Sequence, residues 1–267
     1  MCQKNMYNNR RYFDFERVAQ KFRVSVSFLV EDRKMKKNVL LLVSLIVVLS
    51  FGSIASAGYL FWCGEAVPGT TTEWSTASNW GLNGWGAPPA TSAPTSADTP
   101  YVTRTNGPVI HNGDAAVAQL LVIADWGLTG NVSMTGGALN VDSMQMGFGT
   151  GSHGIFNMSG GNATVAGWLM VGMGSAANVN LSGGTLLCAA IQCSSLGVVT
   201  INPGGKLLIW ESAPINGYIQ AHNIVAGGNS TLVVAPNGDG YTSITAIPEP
   251  ATLALLSIGG LLFRRKK

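Results

Sequence analysis

A chain of 267 residues with 46% hydrophobic residues, 11% charged residues and 34 glycines is too apolar for a disordered protein and long enough for one sizeable, turn-rich β domain. Its formal charge of +3 collects at the two ends, because ten of the sixteen Lys and Arg precede Gly58 and four more are Arg264, Arg265, Lys266 and Lys267. Between them only Arg104 and Lys206 face nine acids, so residues 58–263 carry a net charge of −7, which argues against a nucleic-acid partner.

Residues 1–34 are charged and show no apolar period that would build a domain. They are read either as a misassigned start, with Met35 as the true first residue, or as an extended n-region. Residues 35–57 have the three parts of a secretory signal. Lys36 and Lys37 form a basic head, Val39 to Phe51 an apolar core, and Ala55-Ser56-Ala57 a small-residue cleavage site. The apolar core would be about 20 Å long as a helix at roughly 1.5 Å per residue, short of a hydrocarbon core of about 30 Å, so a signal is favoured over a permanent anchor. Signal peptidase is predicted to cut after Ala57 and leave Gly58 as the first mature residue. Cys2 is then removed, and Cys63, Cys188 and Cys193 are too few and too odd in number for a disulfide framework. A bridge between Cys188 and Cys193 is left open, beside the reading of both as buried small hydrophobes.

Residues 58–106 hold four of the seven tryptophans and several prolines. Trp74, Asn79, Trp80, Pro94 and Asp98 resemble the Trp-rich segment that precedes glycine-rich repeats in autotransporter-passenger-like and PEP-CTERM proteins. A solenoid needs its open end covered, so this segment is expected to be a cap. Trp74 and Trp80 are also candidates for stacking sugar rings, with the cap core as the competing and favoured role.

Residues 107–246 carry a repeat. Glycine pairs at 136–137, 160–161, 183–184, 204–205 and 227–228 are spaced by 24, 23, 21 and 23 residues, a period that points to a solenoid. Around the first three pairs, VSMTGGALNV, FNMSGGNATV and VNLSGGTLLC alternate apolar with small or polar residues, the signature of strands. The predicted inward columns are Val132, Phe156 and Val179; then Met134, Met158 and Leu181; then Leu139, Ala163, Leu186 and Leu207; then Val141, Val165, Cys188 and Ile209. A further strand in each unit turns Met144 and Met146, Leu169 and Val171, and Ile191 and Cys193 inward, so each unit holds two or three short strands. The fourth unit slips by one residue at Pro203, which a turn can absorb. Residues 111–126 are expected to form a degenerate first coil and residues 215–245 a last one. One coil alone cannot offset the backbone entropy of ordering it, so stability must belong to the stack.

Little in this stretch looks like catalysis. Asp114, Asp125 and Asp142 do not share a register, and Lys206 is the one Lys or Arg inside the repeat. His111, His153 and His222 are isolated in predicted turns or coil edges, and the glycine-rich turns lack the acids of a calcium-binding repeat. Trp126, Trp168 and Trp210 are evenly spaced but sit at different offsets from their glycine pairs, so the spacing is given no meaning. No catalytic, cofactor or metal site is expected.

Residues 247–267 have a tripartite order: Pro248-Glu249-Pro250, the apolar run ATLALLSIGGLLF, and Arg264-Arg265-Lys266-Lys267. These parts resemble the PEP-CTERM sorting signal. The prolines keep a recognition site extended, the apolar helix halts the chain in the inner membrane, and the cations stay on the cytoplasmic side. The resemblance implies transient membrane insertion and processing near Pro248 to Pro250 by an exosortase, in bacteria that make exopolysaccharide.

The expected protein is therefore an all-β, right-handed parallel β-helix with an N-terminal Trp-rich cap and a C-terminal hydrophobic helix. It is exported, handled by signal peptidase and exosortase, and works as a structural or adhesive component of the cell surface or extracellular matrix, with exopolysaccharide or matrix proteins as partners. The competing readings are a carbohydrate-active β-helix enzyme, a polysaccharide lyase or hydrolase, and a lectin-like glycan-binding module.

Overall fold

In the computed structural model the described residues are 58–64, 72–84, 87–210 and 215–249. The sixteen strands are β1 (Tyr59–Trp62), β2 (Trp80–Leu82), β3 (Thr99–Val102), β4 (Val109–Ile110), β5 (Ala115–Ile123), β6 (Thr129–Met134), β7 (Ala138–Met146), β8 (His153–Met158), β9 (Asn162–Val171), β10 (Ala176–Leu181), β11 (Gly184–Cys193), β12 (Gly197–Ile201), β13 (Gly205–Trp210), β14 (Ile224–Ala226), β15 (Ser230–Pro236) and β16 (Tyr241–Pro248). One α-helix, α1 (Ile215–Gln220), precedes β14. The strands form a ten-stranded sheet in the order β15-β16-β13-β11-β9-β7-β5-β3-β1-β2 and a six-stranded sheet in the order β14-β12-β10-β8-β6-β4. Successive coils add one strand to each sheet, which makes a right-handed parallel β-solenoid of about five turns.

The columns read from the sequence exist. Phe156 pairs in register with Val132 on one side and Val179 on the other, and Val199 continues the row. Met134, Met158, Leu181 and Ile201 form the next row. In the larger sheet, Leu139, Ala163, Leu186 and Leu207 align, as do Val141, Val165, Cys188 and Ile209. All of these side chains are buried. Alternate residues of a strand point to opposite faces, so each coil sends one apolar face inward and each row shields the next from water.

Two strands per coil are found, within the two or three expected. The predicted middle and last strands of a unit merge into one long strand, and the register shifts because β9 carries one extra residue between Val165 and Leu169, opposite Val141 to Met144 in β7 and Cys188 to Ile191 in β11. The bulge lets the strand bend around the core while keeping Met144, Met146, Leu169, Val171 and Ile191 inside. Cys193 is less covered than the others, as its place at the end of β11 dictates.

The glycine pairs are explained at Gly161. Its φ is +82°, and a Cβ there would lie 2.6 Å from the carbonyl carbon and oxygen of Gly136 in the coil before. Only glycine tolerates both the left-handed backbone and that approach. The residue before each of the first three pairs adds a second device: Thr135, Ser159 and Ser182 donate their backbone N–H to Ile110 O, Met134 O and Met158 O at 2.8–2.9 Å, and their hydroxyls reach the same carbonyls. In the fourth coil the left-handed residue is Gly204, the first of its pair, which is how the slip at Pro203 is absorbed. Leu207 still aligns with Leu186.

Both ends depart from a simple coil. The Trp-rich segment contributes β1 and β3, which continue the ten-stranded sheet in parallel, while β2 folds back antiparallel on β1. At the other end, only β14 extends the smaller sheet as a coil would. Residues 215–245 do not form a last coil: α1 intervenes, and β16 turns antiparallel onto β13 with β15 antiparallel outside it. An antiparallel hairpin ends a parallel stack because it covers the last coil's apolar row, as Ile244 does opposite Leu207, without offering a further parallel step.

The expected apolar helix after Pro250 and residues 1–57 lie outside the described residues. Among the described residues no helix is long and apolar enough to cross a membrane.

Candidate functional site

Trp74 and Trp80 do not form a sugar-stacking surface. They are 2% and 0% exposed and make an edge-to-face contact with ring centroids 5.0 Å apart. Trp80 packs in the same way on Trp62, at 5.1 Å. Two of the three indoles are tied to the backbone: Trp80 Nε1 donates to Trp74 O at 2.9 Å and Trp62 Nε1 to Asn106 O at 2.7 Å, while the buried Trp74 Nε1 has no hydrogen-bond partner among the described residues. Buried Asn79 donates from Nδ2 to Glu73 O. Sugar cannot reach these rings, and their role is the core of the cap.

The rings that do meet solvent were given no role by the sequence reading. Strand alternation in β1 turns Leu60 and Trp62 inward and Tyr59 and Phe61 outward. The neighbouring β3 places Tyr101 in register with Phe61, and their rings lie 5.1 Å apart at 11°. Trp126, in the turn after β5, joins them with centroids 5.0 Å from Tyr101 and 5.9 Å from Phe61, tilted by 25° and 23°. Tyr59 stands 6.0 Å from Tyr101. Tyr59 is 57% and Trp126 54% exposed. At these separations the near-parallel rings of Phe61, Tyr101 and Trp126 are offset-stacked on one another into one slab, with Tyr59 tilted by 52° beside it.

A carboxylate borders this slab. Asp125 Oδ1 accepts the Trp126 N–H at 2.6 Å, and that turn carries positive φ at Ala124 (67°) and Trp126 (52°), a backbone that side chains other than glycine rarely adopt. Burial first, then the adjacent charges of Tyr59 and Asp125, raises the Tyr101 phenol above its usual range and keeps it a hydrogen-bond donor.

Trp168 and Trp210 are also exposed, at 52% and 47%, but they join no common column with Trp126. Trp168 faces Ala190, and Trp210 packs edge-on against Tyr241. Their even spacing has no structural counterpart.

The titratable groups are occupied locally. Asp114 accepts from His111 N, and Asp98 accepts from Thr95 and Gly58. His111 is not isolated: Nε2 lies 3.2 Å from Glu73 Oε1, and Nδ1 lies 3.2 Å from Thr135 Oγ1. His153 pairs with Asn178 at 2.8 Å. Among the described residues no cluster of three His, Cys, Asp or Glu is placed to hold a metal ion. Cys63, Cys188 and Cys193 are free thiols, so the possible bridge within β11 is not formed. Burial pushes both Cys188 and Cys193 up to about 12.

Gly58 lies immediately before β1, while Ala55 and Ala57 are outside the described residues. Pro248 closes β16 and, with Glu249, is exposed, whereas Pro250, Arg264, Arg265, Lys266 and Lys267 are outside. Residues 246–267 match the PEP-CTERM protein-sorting motif.

The chain carries a PEP-CTERM sorting signal. It is thus an exported, surface-associated protein handled by an exosortase, and the matched residues begin within β16. Searches of curated proteins and of solved structures found no match to the chain.

Proposed function

We propose that the mature protein is a non-enzymatic structural and adhesive component of the bacterial surface or extracellular matrix, and that it holds neutral glycan through Tyr59, Phe61, Tyr101 and Trp126. The stack of Phe61, Tyr101 and half-exposed Trp126, with exposed Tyr59 tilted beside it, carries the reading. Aromatic faces cover the apolar C–H face of a pyranose, while hydroxyl and carboxylate groups at the rim bond its hydroxyls. Tyr59, Tyr101 and Asp125 supply that rim.

Charge selects the partner. Arg104 and Lys206 are the only Lys or Arg among the described residues, and Asp125 stands at the slab itself. An acidic, uronate-rich polymer is repelled, and a neutral one is not. The rest of the exterior favours passive stacking: Asn131, Asn157 and Asn180 form a ladder of side-chain hydrogen bonds at 3.1 and 2.8 Å along the smaller sheet. The non-enzymatic part of the reading is supported by the carboxylates of Asp98, Asp114 and Asp125, each of which accepts hydrogen bonds in its own turn instead of converging on a groove.

The test is co-sedimentation of the mature protein with insoluble neutral and uronate-containing polysaccharides, with a parallel assay for new reducing ends. Retention on the neutral polymer, its loss in Trp126→Ala, and no new reducing ends are expected. Equal retention of Trp126→Ala and wild type would remove the adhesive site, and released reducing ends would restore the enzyme reading.

A further inference from the structure

Gly58 and Asp98 are joined in a way that acquires meaning on export. The Gly58 nitrogen donates to Asp98 Oδ1 at 3.0 Å. The other oxygen, Oδ2, accepts the Thr95 N–H at 2.8 Å and the Thr95 hydroxyl at 2.7 Å, and Asp98 N donates back to Thr95 O. The carboxylate is thus held rigidly in a Thr95-to-Asp98 turn. Gly58 is fixed from its other side, because its carbonyl accepts the Thr99 N–H at 3.0 Å at the start of the β1–β3 pairing. Asp98 is only 9% exposed, and among the described residues no cationic side chain forms an ion pair with it.

A largely buried carboxylate facing a neutral amide lacks a countercharge. We infer that Asp98 is the receiving site for the α-ammonium group that signal-peptide removal creates on Gly58, so that processing itself completes the amino-terminal end of the solenoid. The inference rests on the reading of Ala55-Ser56-Ala57 as the cleavage site. Hydrolysis breaks the Ala57 C–N bond. The hydroxyl of water goes to the Ala57 carbonyl carbon, and the Gly58 nitrogen takes the water's proton and that of the new acid. The products are an Ala57 carboxylate and a Gly58 ammonium. The new cation already stands at hydrogen-bond distance from Asp98 Oδ1, and the contact becomes a charge-assisted one. In the precursor the same atoms make an ordinary hydrogen bond, so the pair belongs to the exported form alone.

The experiment uses the full-length chain expressed in an exporting bacterium, with the mature protein recovered and treated with a limiting amine-acylating reagent near neutral pH. Mass spectrometry of the amino-terminal peptide gives the acylation rate of the α-amine, with half-buried Lys206 as internal reference. A wild-type peptide beginning at Gly58 and acylated slowly is expected. Asp98→Asn should speed acylation of the α-amine by about tenfold, the effect of roughly one pKa unit of lost pairing, and leave Lys206 unchanged. An alanine inserted between Ala57 and Gly58 keeps Asp98 and all its turn contacts but moves the amine one residue outward. It should speed acylation similarly, so the test survives a folding defect in Asp98→Asn. Wild-type rates in both variants would overturn the ion pair. A mature peptide that begins elsewhere would overturn the cleavage site beneath it, a failure visible separately by mass.

Discussion

Gly161 stacks on Gly136 so closely that a side chain on the first would lie 2.6 Å from the carbonyl oxygen of the second. The contact recurs up the axis, since a Cβ on Gly184 would lie 2.4 Å from Gly161 O. Gly161→Ala must therefore distort the turn as well as adopt a left-handed backbone, costing about 2 kcal/mol or more. For a domain of this size that lowers Tm by about 4–8 °C. Gly217→Ala in α1, where a Cβ meets nothing within 4 Å, should leave Tm unchanged or slightly raised. Thermal unfolding of the two variants checks the pair.

Phe156 is the largest side chain of its row, clamped between Val132 and Val179. Phe156→Ala should cost about 3–5 kcal/mol through lost burial and a cavity. Because each coil leans on its neighbours, hydrogen exchange should quicken in β6 and β10 as well as in β8. Faster exchange confined to β8 would contradict shared stability.

Trp80 and Trp126 separate the cap core from the outer slab. Trp80→Ala, at a fully buried position packed on Trp62 and Trp74, should cost about 3–5 kcal/mol. Trp126→Ala removes a half-exposed ring and should move Tm by less than about 4 °C. Circular dichroism melts of the two variants read the contrast.

The solenoid was legible because its signals are local. Period-two alternation gives Val132, Met134, Phe156 and Met158 their face, and the spaced glycine pairs give the coil length. The ends were less legible. The antiparallel turn of Tyr241–Pro248 onto Gly205–Trp210 depends on what the last coil leaves uncovered, and no short stretch of sequence records that. The role of the tryptophans was assigned by composition, which cannot tell Trp80 from Trp126. Alternation within Tyr59-Leu60-Phe61-Trp62 did carry the missing signal, since it sends Tyr59 and Phe61 to the side opposite Trp62.

The thiols of Cys188 and Cys193 stay protonated in the folded chain up to about 12, against an ordinary 9.0. A raised folded value means that the native state holds protons the unfolded state has released. Their contribution to stability is complete below about pH 9 and is lost as pH rises toward 12. The urea midpoint should therefore fall more steeply between about pH 8 and pH 10.5 in wild type than in Cys188→Ala. Thiol reagents at neutral pH should leave both cysteines of the folded protein unmodified.

The account depends most on a chain cut at both ends around a self-contained solenoid and delivered to the surface. Intact mass of the protein recovered from the cell surface tests this directly. A chain that starts at Gly58 and ends within Pro248 to Pro250 is predicted, and a recovered protein that still carries Lys267 would contradict it.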